Sequence, residues 1–103
     1  MRALKLHLGA EIDLRESLEF YELQRTGLGG ELRREIEAMI DRIRLNPELG
    51  EVEQHPAIRH RTLRKFPYRI VYTCLGEQIW VIAFAHHSRR PRYWSGRETD
   101  LLS

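Results

Sequence analysis

Two β-prone stretches joined by a short connection constrain the fold of this chain more than any other feature of its sequence. Residues 66–72 alternate large side chains with polar or β-branched ones, and residues 79–87 are rich in β-branched and aromatic side chains. The connection between them contains Gly76, which a tight turn favours. The sequence therefore predicts a β-hairpin. A basic and aromatic segment follows at residues 89–94, so we expect function where this segment meets Arg69 of the first strand.

A strand and two amphipathic helices are predicted before the hairpin. Residues 2–8 alternate with the period of a half-buried strand. A first helix begins at Ala10, and its apolar residues recur at helical spacing until Gly27. A second helix follows and ends at Asn46-Pro47. Its apolar residues form a single stripe that faces a core, and they are Leu28, Leu32, Ile36, Met39, Ile40 and Ile43.

The short connection between the two helices predicts that they lie antiparallel, as a helical hairpin that needs a sheet face to cover. A polar loop at residues 48–56 and a strand at residues 58–65 follow, and residues 86–96 form a loop or a brief helical turn. The predicted order is strand, helix, helix, strand, strand, strand. We therefore predict a single α+β domain over residues 1–103, with the helical hairpin packed on a small, mainly antiparallel sheet.

The composition argues against a membrane span and against a disulfide framework. No stretch approaches the ~18 apolar residues that a membrane span needs, and the N-terminus lacks the apolar core of a secretory signal. Cys74 is the single cysteine, which agrees with a reducing compartment and with a small apolar role on a strand. We therefore expect a cytoplasmic protein without membrane contact.

Charge is segregated along the chain. Residues 1–56 carry eight Lys or Arg against twelve Asp or Glu, whereas residues 57–97 carry nine against one. Concentrated positive charge favours an anionic partner, such as nucleic acid, an acidic peptide or an acidic protein surface. A solvated basic face balanced by nearby acidic helices is the alternative, and charge alone does not choose between these possibilities.

Several kinds of chemistry are absent from the sequence. It contains no glycine-rich phosphate loop, no pairs of cysteines for zinc, no His-Glu-x-x-His motif and no nucleophile elbow. His86 and His87 are adjacent, so on a continuing strand they would point to opposite faces of the sheet. We therefore expect no metal site and no cofactor.

What remains is a set of residues suited to holding an anion and moving protons. Arginine grips phosphate through a planar fork of donors, and histidine transfers protons near neutral pH. Such a set can cleave RNA without a metal when two groups move protons and an arginine stabilises the transition state. Each residue also has a structural alternative, such as pairing with a helix carboxylate or packing of the tail. The set comprises His60, Arg69, His86, His87, Arg89, Arg90, Arg92 and Tyr93.

Several short motifs, taken in their order and spacing, resemble the RelE/ParE superfamily of bacterial toxins. The main motif is Phe-Pro-Tyr-Arg-Ile-Val-Tyr at residues 66–72, and the pattern His86-x-x-Arg89-x-Pro91-x-x-Trp94 follows the second hairpin strand. The resemblance covers most of the chain. Its weaker motifs are Ala-Glu-Ile-Asp-Leu at residues 10–14, Asn46-Pro47 with Gly50, and Ile58-Arg59.

This resemblance implies a fold of two helices packed on a small sheet and the toxin half of a type II toxin-antitoxin pair. In such families the toxin is held inactive by an antitoxin whose flexible segment wraps it. One branch cleaves messenger RNA on the ribosome, and the other is associated with inhibition of DNA gyrase. Since both branches use similar scaffolds, the fold does not choose the target.

Carried over residue by residue, the resemblance places Arg69 at the strand arginine of the RNA-cleaving branch and Arg89 near its second arginine. That branch often has two lysines on the preceding strand, where this chain has His60 and Thr62. Its late tyrosine also lies further along than Tyr93. The motif that ends in tryptophan looks more like the ParE type.

The resemblance therefore favours a ParE-like toxin, a non-enzymatic inhibitor of growth linked to plasmid stabilization. Its expected partners are DNA gyrase and an acidic cognate antitoxin, the latter in a hetero-oligomer. The residues expected to bind the target or the antitoxin are Arg61, Arg64, Arg69, His86, Arg90, Arg92, Tyr93 and Trp94.

Two alternatives stay open. A RelE-type, ribosome-dependent mRNA endoribonuclease would use Arg69, Arg89, His87 and His60 for catalysis. A non-toxic relative would keep the same fold as an interaction module.

Overall fold

A computed structural model describes residues 2–53 and 55–102 of the chain, without the side chain of Leu102. It contains a five-stranded sheet with order β1-β5-β4-β3-β2. The β1–β5 pair is parallel and the other three pairs are antiparallel. The elements are β1 Ala3–Leu6, α1 Leu8–Gln24, α2 Leu28–Leu45, β2 Glu51–Val52, β3 Ile58–Thr62, β4 Tyr68–Leu75, β5 Gln78–His86 and α3 Arg97–Leu102.

This architecture confirms the predicted α+β fold with a helical hairpin on a mainly antiparallel sheet. The predicted β-hairpin is β4 and β5, which pair from Tyr68 opposite His86 to Leu75 opposite Gln78. Gly76 adopts a φ of +60° in the two-residue connection, a conformation that glycine reaches without steric cost. None of the helices in the described part of the chain is long and apolar enough to cross a membrane.

The first helix begins two residues earlier than the sequence predicts. His7 is its N-cap, and its Nδ1 accepts a hydrogen bond of 2.9 Å from the backbone N–H of Gly9. Histidine is not among the usual capping residues, so the sequence pattern did not indicate this boundary. As a consequence Leu8 opens α1 and is 68% exposed, instead of lying on the buried side of the first strand.

The core lies between the helical hairpin and one face of the sheet. Apolar side chains of α2 pack against inward-facing side chains of β4 and β5, and each fully buried one contributes roughly 1.5–3 kcal/mol. The helices approach closely at Gly29, where a Cβ atom would lie 2.8 Å from the carbonyl oxygen of Leu18. The buried residues of this core include Leu32, Ile36, Met39, Ile43, Ile70, Tyr72, Ile79 and Val81.

A second, smaller core lies on the opposite face of the sheet. Trp94 is 1% exposed and packs with Ile58, Val71, Ile82, Ala83 and Ala85. The two alanines of β5 leave room for the indole ring, so the C-terminal tail covers a part of the sheet that the helices do not reach. The tail then ends in α3, a short helix that the sequence analysis did not predict.

Two boundaries around β3 differ from the prediction. The polar loop after α2 contains the two-residue strand β2, which pairs with Arg59 and His60 of β3. Strand β3 ends at Thr62 rather than at residue 65. Beyond Thr62 the backbone N–H of Leu63 still donates to the carbonyl oxygen of Tyr68 at 2.9 Å, and the carboxylate of Glu35 on α2 accepts from the backbone N–H groups of Arg64 and Lys65.

Tyr72 fixes the connection between α2 and β2. Its hydroxyl donates to the carbonyl oxygen of Pro47 at 2.8 Å and accepts from the backbone N–H of Gly50 at 2.8 Å. A Cβ atom at Gly50 would lie 2.7 Å from this hydroxyl, so only glycine fits at that position. Glu51 and Glu53, which follow Gly50, carry carboxylates that contact His60.

Replacing Tyr72 with phenylalanine tests this anchor. Tyr72→Phe leaves two backbone groups near a buried side chain unpaired, so we expect the free energy of unfolding to fall by about 1–3 kcal/mol. Urea denaturation measures this change. Leu45→Ala is the control, since Leu45 is 71% exposed at the end of α2 and its truncation should cost no more than about 0.5 kcal/mol. Equal stability of Tyr72→Phe and the wild-type chain would contradict this role.

Candidate functional site

Predicted site residues from three strands gather at one end of the sheet, called here the basic end. Thr62, the last residue of β3, pairs with Arg69, and Tyr68 pairs with His86. The loops beyond these strands also touch, since the backbone N–H of His87 donates to the carbonyl oxygen of Pro67 at 2.8 Å. The basic end comprises Arg61, Arg64, Lys65, Arg69, His86, His87, Arg89 and Arg90.

Arg69 and His60 lie on the sheet face that points away from the helices, beside two glutamates. Glu53 Oε1 is 3.3 Å from His60 Nδ1 and 4.0 Å from Arg69 Nη1. Glu51 Oε2 is 3.5 Å from His60 Nε2. The side chains of His60 and Glu53 are only 14% and 16% exposed. The guanidinium of Arg69 and the imidazole of His60 therefore have carboxylate neighbours within the chain.

This arrangement decides what the cluster can do with an anion. A phosphate at Arg69 would also meet the carboxylate of Glu53, and two like charges about 4 Å apart repel by roughly 1–4 kcal/mol near a protein surface. Arg69 pairs with a carboxylate, as the structural alternative anticipated, although Glu53 belongs to the loop after β2 and not to a helix. Arg69 therefore has a carboxylate neighbour at 4.0 Å, and its side chain is 33% exposed.

Arg89 lies on the other side of the sheet from Arg69. Its guanidinium carbon is 4.1 Å from the centroid of the Tyr93 ring, a cation–π distance. With Glu16 of α1 and with Tyr68, Arg89 lines a small cavity of about 70 Å³ on the helix side. Arg89 and Tyr93 therefore lie on the helix side, whereas Arg69 shares the opposite face of the sheet with Ala85 and Trp94. Alternation along β4 turns Arg69 away from the face that Tyr68 shares with the helices.

The two neighbouring histidines differ in their surroundings. His86 Nδ1 accepts from the backbone N–H of Ser88 at 2.9 Å, and the imidazole ring contacts Tyr68 edge-on at a centroid distance of 5.0 Å. A neutral His86 therefore carries its proton on Nε2. His87 is exposed in the turn after β5.

Tyr93, Trp94 and Arg92 hold the tail on the sheet. The Tyr93 hydroxyl donates to Asp13 Oδ2 at 2.9 Å. The indole of Trp94 is buried, so a direct contact between this side chain and a partner is excluded in this conformation. Arg92 adopts a φ of 56°, with its guanidinium 5.4 Å from the Trp94 ring and 3.9 Å from Glu98. The structural alternative for Tyr93 and Trp94, packing of the tail, is confirmed.

A buried polar cluster joins α1, β5 and the tail. Asp13 Oδ2 accepts hydrogen bonds from Arg97 Nη1 at 2.7 Å, from the Tyr93 hydroxyl and from the backbone N–H of Phe84 at 3.2 Å. Arg97 Nη1 also donates to the carbonyl oxygen of Ile82 at 3.1 Å. These side chains satisfy backbone groups of β5 beyond the point where β1 ends.

The ionisation of this cluster follows from its burial and its charges. Burial, followed by the negative charge and the hydrogen bond of Asp13, raises the pKa of Tyr93 well above its usual value near 10. Burial alone would lower the pKa of Arg97, but the hydrogen bond and charge of Asp13 outweigh it and raise that pKa. At neutral pH Arg97 therefore stays a charged guanidinium and Tyr93 a neutral phenol.

Sequence reasoning missed the acidic members of both clusters. Asp13 falls on the buried face of α1, at helical spacing from Ala10 and Ser17, and a carboxylate on an apolar helix face is a signal that it has a buried partner. Glu51 and Glu53 lie in a polar loop, where nothing in the pattern distinguishes them from solvated charges. In residues 2–53 and 55–102, no group of three or more His, Cys, Asp or Glu residues could hold a metal ion.

Solved structures show the class of protein to which this fold belongs. The chain is similar to a chromosomal ParDE toxin-antitoxin system from P. aeruginosa, with 18% identity, a TM-score of 0.72 and coverage of 84% of this chain and 96% of that one. It is also similar to the E. coli RelBE complex, with 19% identity, a TM-score of 0.68 and coverage of 86% and 100%. The isolated E. coli RelE toxin matches at 19% identity and a TM-score of 0.66, with full coverage of both chains. The fold is that of the RelE/ParE toxins.

A family comparison is more specific. Residues 4–91 match the model of the family described as the ParE toxin of the type II toxin-antitoxin system parDE. The chain therefore belongs to the ParE toxin family, as the resemblance of its motifs implied. No curated protein matches the chain.

Removing the charge of Asp13 tests the buried cluster. Asp13→Asn leaves the guanidinium of Arg97 without its carboxylate, so we expect the free energy of unfolding to fall by about 3 kcal/mol or more. The matched control is Glu31→Gln, which disrupts the exposed pair that Glu31 forms with Arg25 at 3.1 Å and should cost less than about 1 kcal/mol. Similar losses in chemical denaturation of the two variants would contradict the importance of this cluster.

The raised pKa of Tyr93 predicts a loss of stability at alkaline pH. Above pH 10 the unfolded chain loses the phenolic proton, whereas the folded chain keeps it because of its raised pKa. The free energy of unfolding should therefore fall as pH rises, by up to about 1.4 kcal/mol per pH unit for this group. In Tyr93→Phe the slope between pH 10 and 11.5 should be shallower by that amount, whatever the loss at neutral pH. An unchanged slope would refute this assignment.

Proposed function

We propose that this chain is a growth-inhibiting toxin that binds DNA gyrase and that a cognate antitoxin neutralises it. The observation that carries the proposal is the position of Glu53, within 3.3 Å of His60 and 4.0 Å of Arg69. Groups that would have to hold a scissile phosphate are instead engaged with a carboxylate. Membership of the ParE family agrees with a target that is bound rather than cleaved.

The separation of the two arginines supports the same conclusion. Metal-free RNA cleavage needs positive groups placed around one phosphate, because they stabilise the charge that develops in the transition state. Arg69 lies on one side of the sheet and Arg89 lies on the other, against Tyr93. The two guanidiniums therefore belong to different local clusters. Binding to a protein surface does not require such convergence, since its energy is spread over several contacts.

The basic end suits an acidic segment of the antitoxin. His87, Arg89 and Arg90 are exposed there, next to the exposed loop that carries Arg64 and Lys65. A flexible acidic segment could order itself on this surface and pay its conformational entropy on binding. Two of the similar solved structures are toxin-antitoxin complexes, which is consistent with such a partner.

A ribosome-dependent mRNA endoribonuclease is the second candidate. One observation favours it, since Glu53, His60 and Arg69 form a contiguous set that contains two proton carriers and an arginine. Displacement of Glu53 from Arg69 by the ribosome or by the message would expose that arginine to phosphate. In this mechanism His60 moves a proton and Arg69 stabilises the phosphate.

The two targets are separated by pulse labelling after controlled induction of the chain in bacteria that lack the antitoxin. Early arrest of DNA synthesis, with protein synthesis continuing, is the expected result. Early arrest of protein synthesis would instead favour RNA cleavage. Continued growth at full expression would overturn both, and it would favour a non-toxic interaction module.

Substitutions of Arg69 and His60 also distinguish gyrase binding from RNA cleavage. If the chain binds gyrase, Arg69→Ala and His60→Ala should each retain growth inhibition to within a few-fold, because neither residue takes part in chemistry. If it cleaves RNA, His60→Ala should lose roughly 10²–10⁴ in rate. His55→Ala is the control, because His55 is an exposed histidine outside the predicted site, and an unchanged Tm checks folding. Abolished toxicity in folded Arg69→Ala would contradict the gyrase assignment.

A further inference from the structure

A cavity lies at the end of the sheet opposite the basic end, and it is called here the distal cavity. Strand β4 begins at the basic end with Tyr68 and reaches this cavity with Cys74, just before the hairpin turn. The loops on either side of β2 complete its wall. Its volume is about 440 Å³, a size typical of small-molecule sites. The lining residues that carry its chemistry are Arg2, Glu48, Arg59, Tyr72 and Cys74.

Two guanidinium groups border the distal cavity without a carboxylate partner. Arg2 Nη1 donates to the carbonyl oxygen of Gly76 at 2.9 Å, and Arg59 Nη1 donates to that of Gly50 at 2.9 Å. Neither arginine forms an ion pair within the described part of the chain. Carbonyl oxygens orient a guanidinium but carry no net charge. Both positive charges therefore lack compensation by an ion pair there.

The donors best suited to an oxyanion are still available on both side chains. A guanidinium carries five N–H donors. Within the described residues, Nη1 provides every hydrogen bond that the side chains of Arg2 and Arg59 donate. Their Nε and Nη2 groups can therefore bind a ligand. These two nitrogens form a planar edge that holds a carboxylate or a phosphate through two parallel hydrogen bonds.

The fold holds both arginines in place. The hydroxyl of Tyr72 anchors the loop that contains Gly50, and the carbonyl oxygen of that glycine accepts from Arg59. Arg44, in the last turn of α2, donates from Nε to the backbone carbonyl oxygen of Arg2 at 2.8 Å. Groups that are already positioned lose less entropy when a ligand binds. The cavity is therefore organised before a ligand arrives.

The remaining charge at the cavity restricts the kind of ligand. Among the described lining residues, Glu48 alone carries a carboxylate, and it is exposed to solvent. Two positive charges favour a ligand with two negative charges, whereas Glu48 repels a longer polyanion. The charge pattern therefore fits a small dianion better than a nucleic acid.

We propose that the distal cavity binds a small dianionic molecule, either a phosphate monoester or a dicarboxylate. Its oxygen atoms accept hydrogen bonds from Nε and Nη2 of Arg2 and Arg59. Because the cavity and the basic end lie at opposite ends of the sheet, the inference does not depend on the proposed function. A ligand that binds only the folded chain also raises its Tm.

Cys74 provides a reporter inside the cavity. It is the single cysteine of the chain, and its Sγ lies 3.5 Å from Arg2 Nη1. Iodoacetate and iodoacetamide alkylate a thiol in the same way but differ in charge. The ratio of their rates therefore measures the local potential, because changes in the reactivity of the thiol itself cancel.

Removal of the two positive charges should change this ratio. At low ionic strength, Arg2→Gln and Arg59→Gln should each lower the rate of iodoacetate relative to iodoacetamide by about threefold. Glu48→Gln should raise it. The matched control is Arg90→Gln, which removes an exposed positive charge at the basic end and should leave the ratio unchanged. Equal ratios in Arg2→Gln, Arg59→Gln and the wild-type chain would overturn the inference.

Binding is measured by Tm and by protection of Cys74 from iodoacetamide, at constant ionic strength. The probes are glycerol 3-phosphate and succinate, with sodium chloride as the control. Saturable protection and a rise in Tm with glycerol 3-phosphate alone would identify a phosphate monoester, and with succinate alone a dicarboxylate. The same effects with both would support the shared chemistry. No saturable effect of either dianion, or an equal effect of chloride, would overturn the inference.

Two variants test whether the arginines hold the ligand. The double variant Arg2→Gln/Arg59→Gln should lose at least about tenfold in affinity for the dianion that binds. Arg59→Lys keeps the charge but not the planar fork, so it should keep the alkylation ratio and still bind roughly tenfold more weakly. It also provides the test if the double variant does not fold. Wild-type affinity in either folded variant would contradict the assigned contacts.

Discussion

The ion pair between Asp13 and Arg97 is the interaction on which the arrangement of this molecule depends. Strand β1 pairs with β5 only as far as Val81, so the next residues of β5 would present unpaired backbone groups in the interior. Asp13 accepts from Phe84 and Arg97 donates to the carbonyl oxygen of Ile82, which satisfies this free edge. A buried pair of this kind costs desolvation energy and is stable only with additional hydrogen bonds. Here the backbone of β5 and Tyr93 provide them.

The same pair determines where the surrounding elements lie. Because Asp13 is on α1 and Arg97 opens α3, the pair holds the first helix and the tail on either side of β5. The tail in turn places Trp94 against the second face of the sheet and the ring of Tyr93 beneath Arg89. The loop that carries Arg89 thus lies against a side chain that this pair holds in place.

Local pattern was sufficient to predict the two long helices and four of the five strands, but not β2, α3 or the contacts that pair distant segments. The β-hairpin and the apolar stripe of α2 follow from periods of two and 3.6 residues, which the sequence displays directly. Alternation along β4 sets the face on which Arg69 lies, whereas the position of Arg89 depends on the course of the tail after β5. Glu53 could not be assigned from its polar loop, since its role depends on pairing between β2 and β3. The importance of Arg97 depends in the same way on a residue 84 positions earlier.

The contacts of Glu53 with His60 and Arg69 are the main support for the proposal that this toxin binds its target and does not cleave RNA. The most direct measurement adds purified chain to DNA gyrase with relaxed plasmid and, in parallel, to programmed ribosomes. The account predicts that supercoiling is inhibited near stoichiometric amounts of the chain, while the message on the ribosome stays intact. Cleavage of that message with unimpaired supercoiling would contradict it, and it would make His60 and Arg69 parts of a catalytic site.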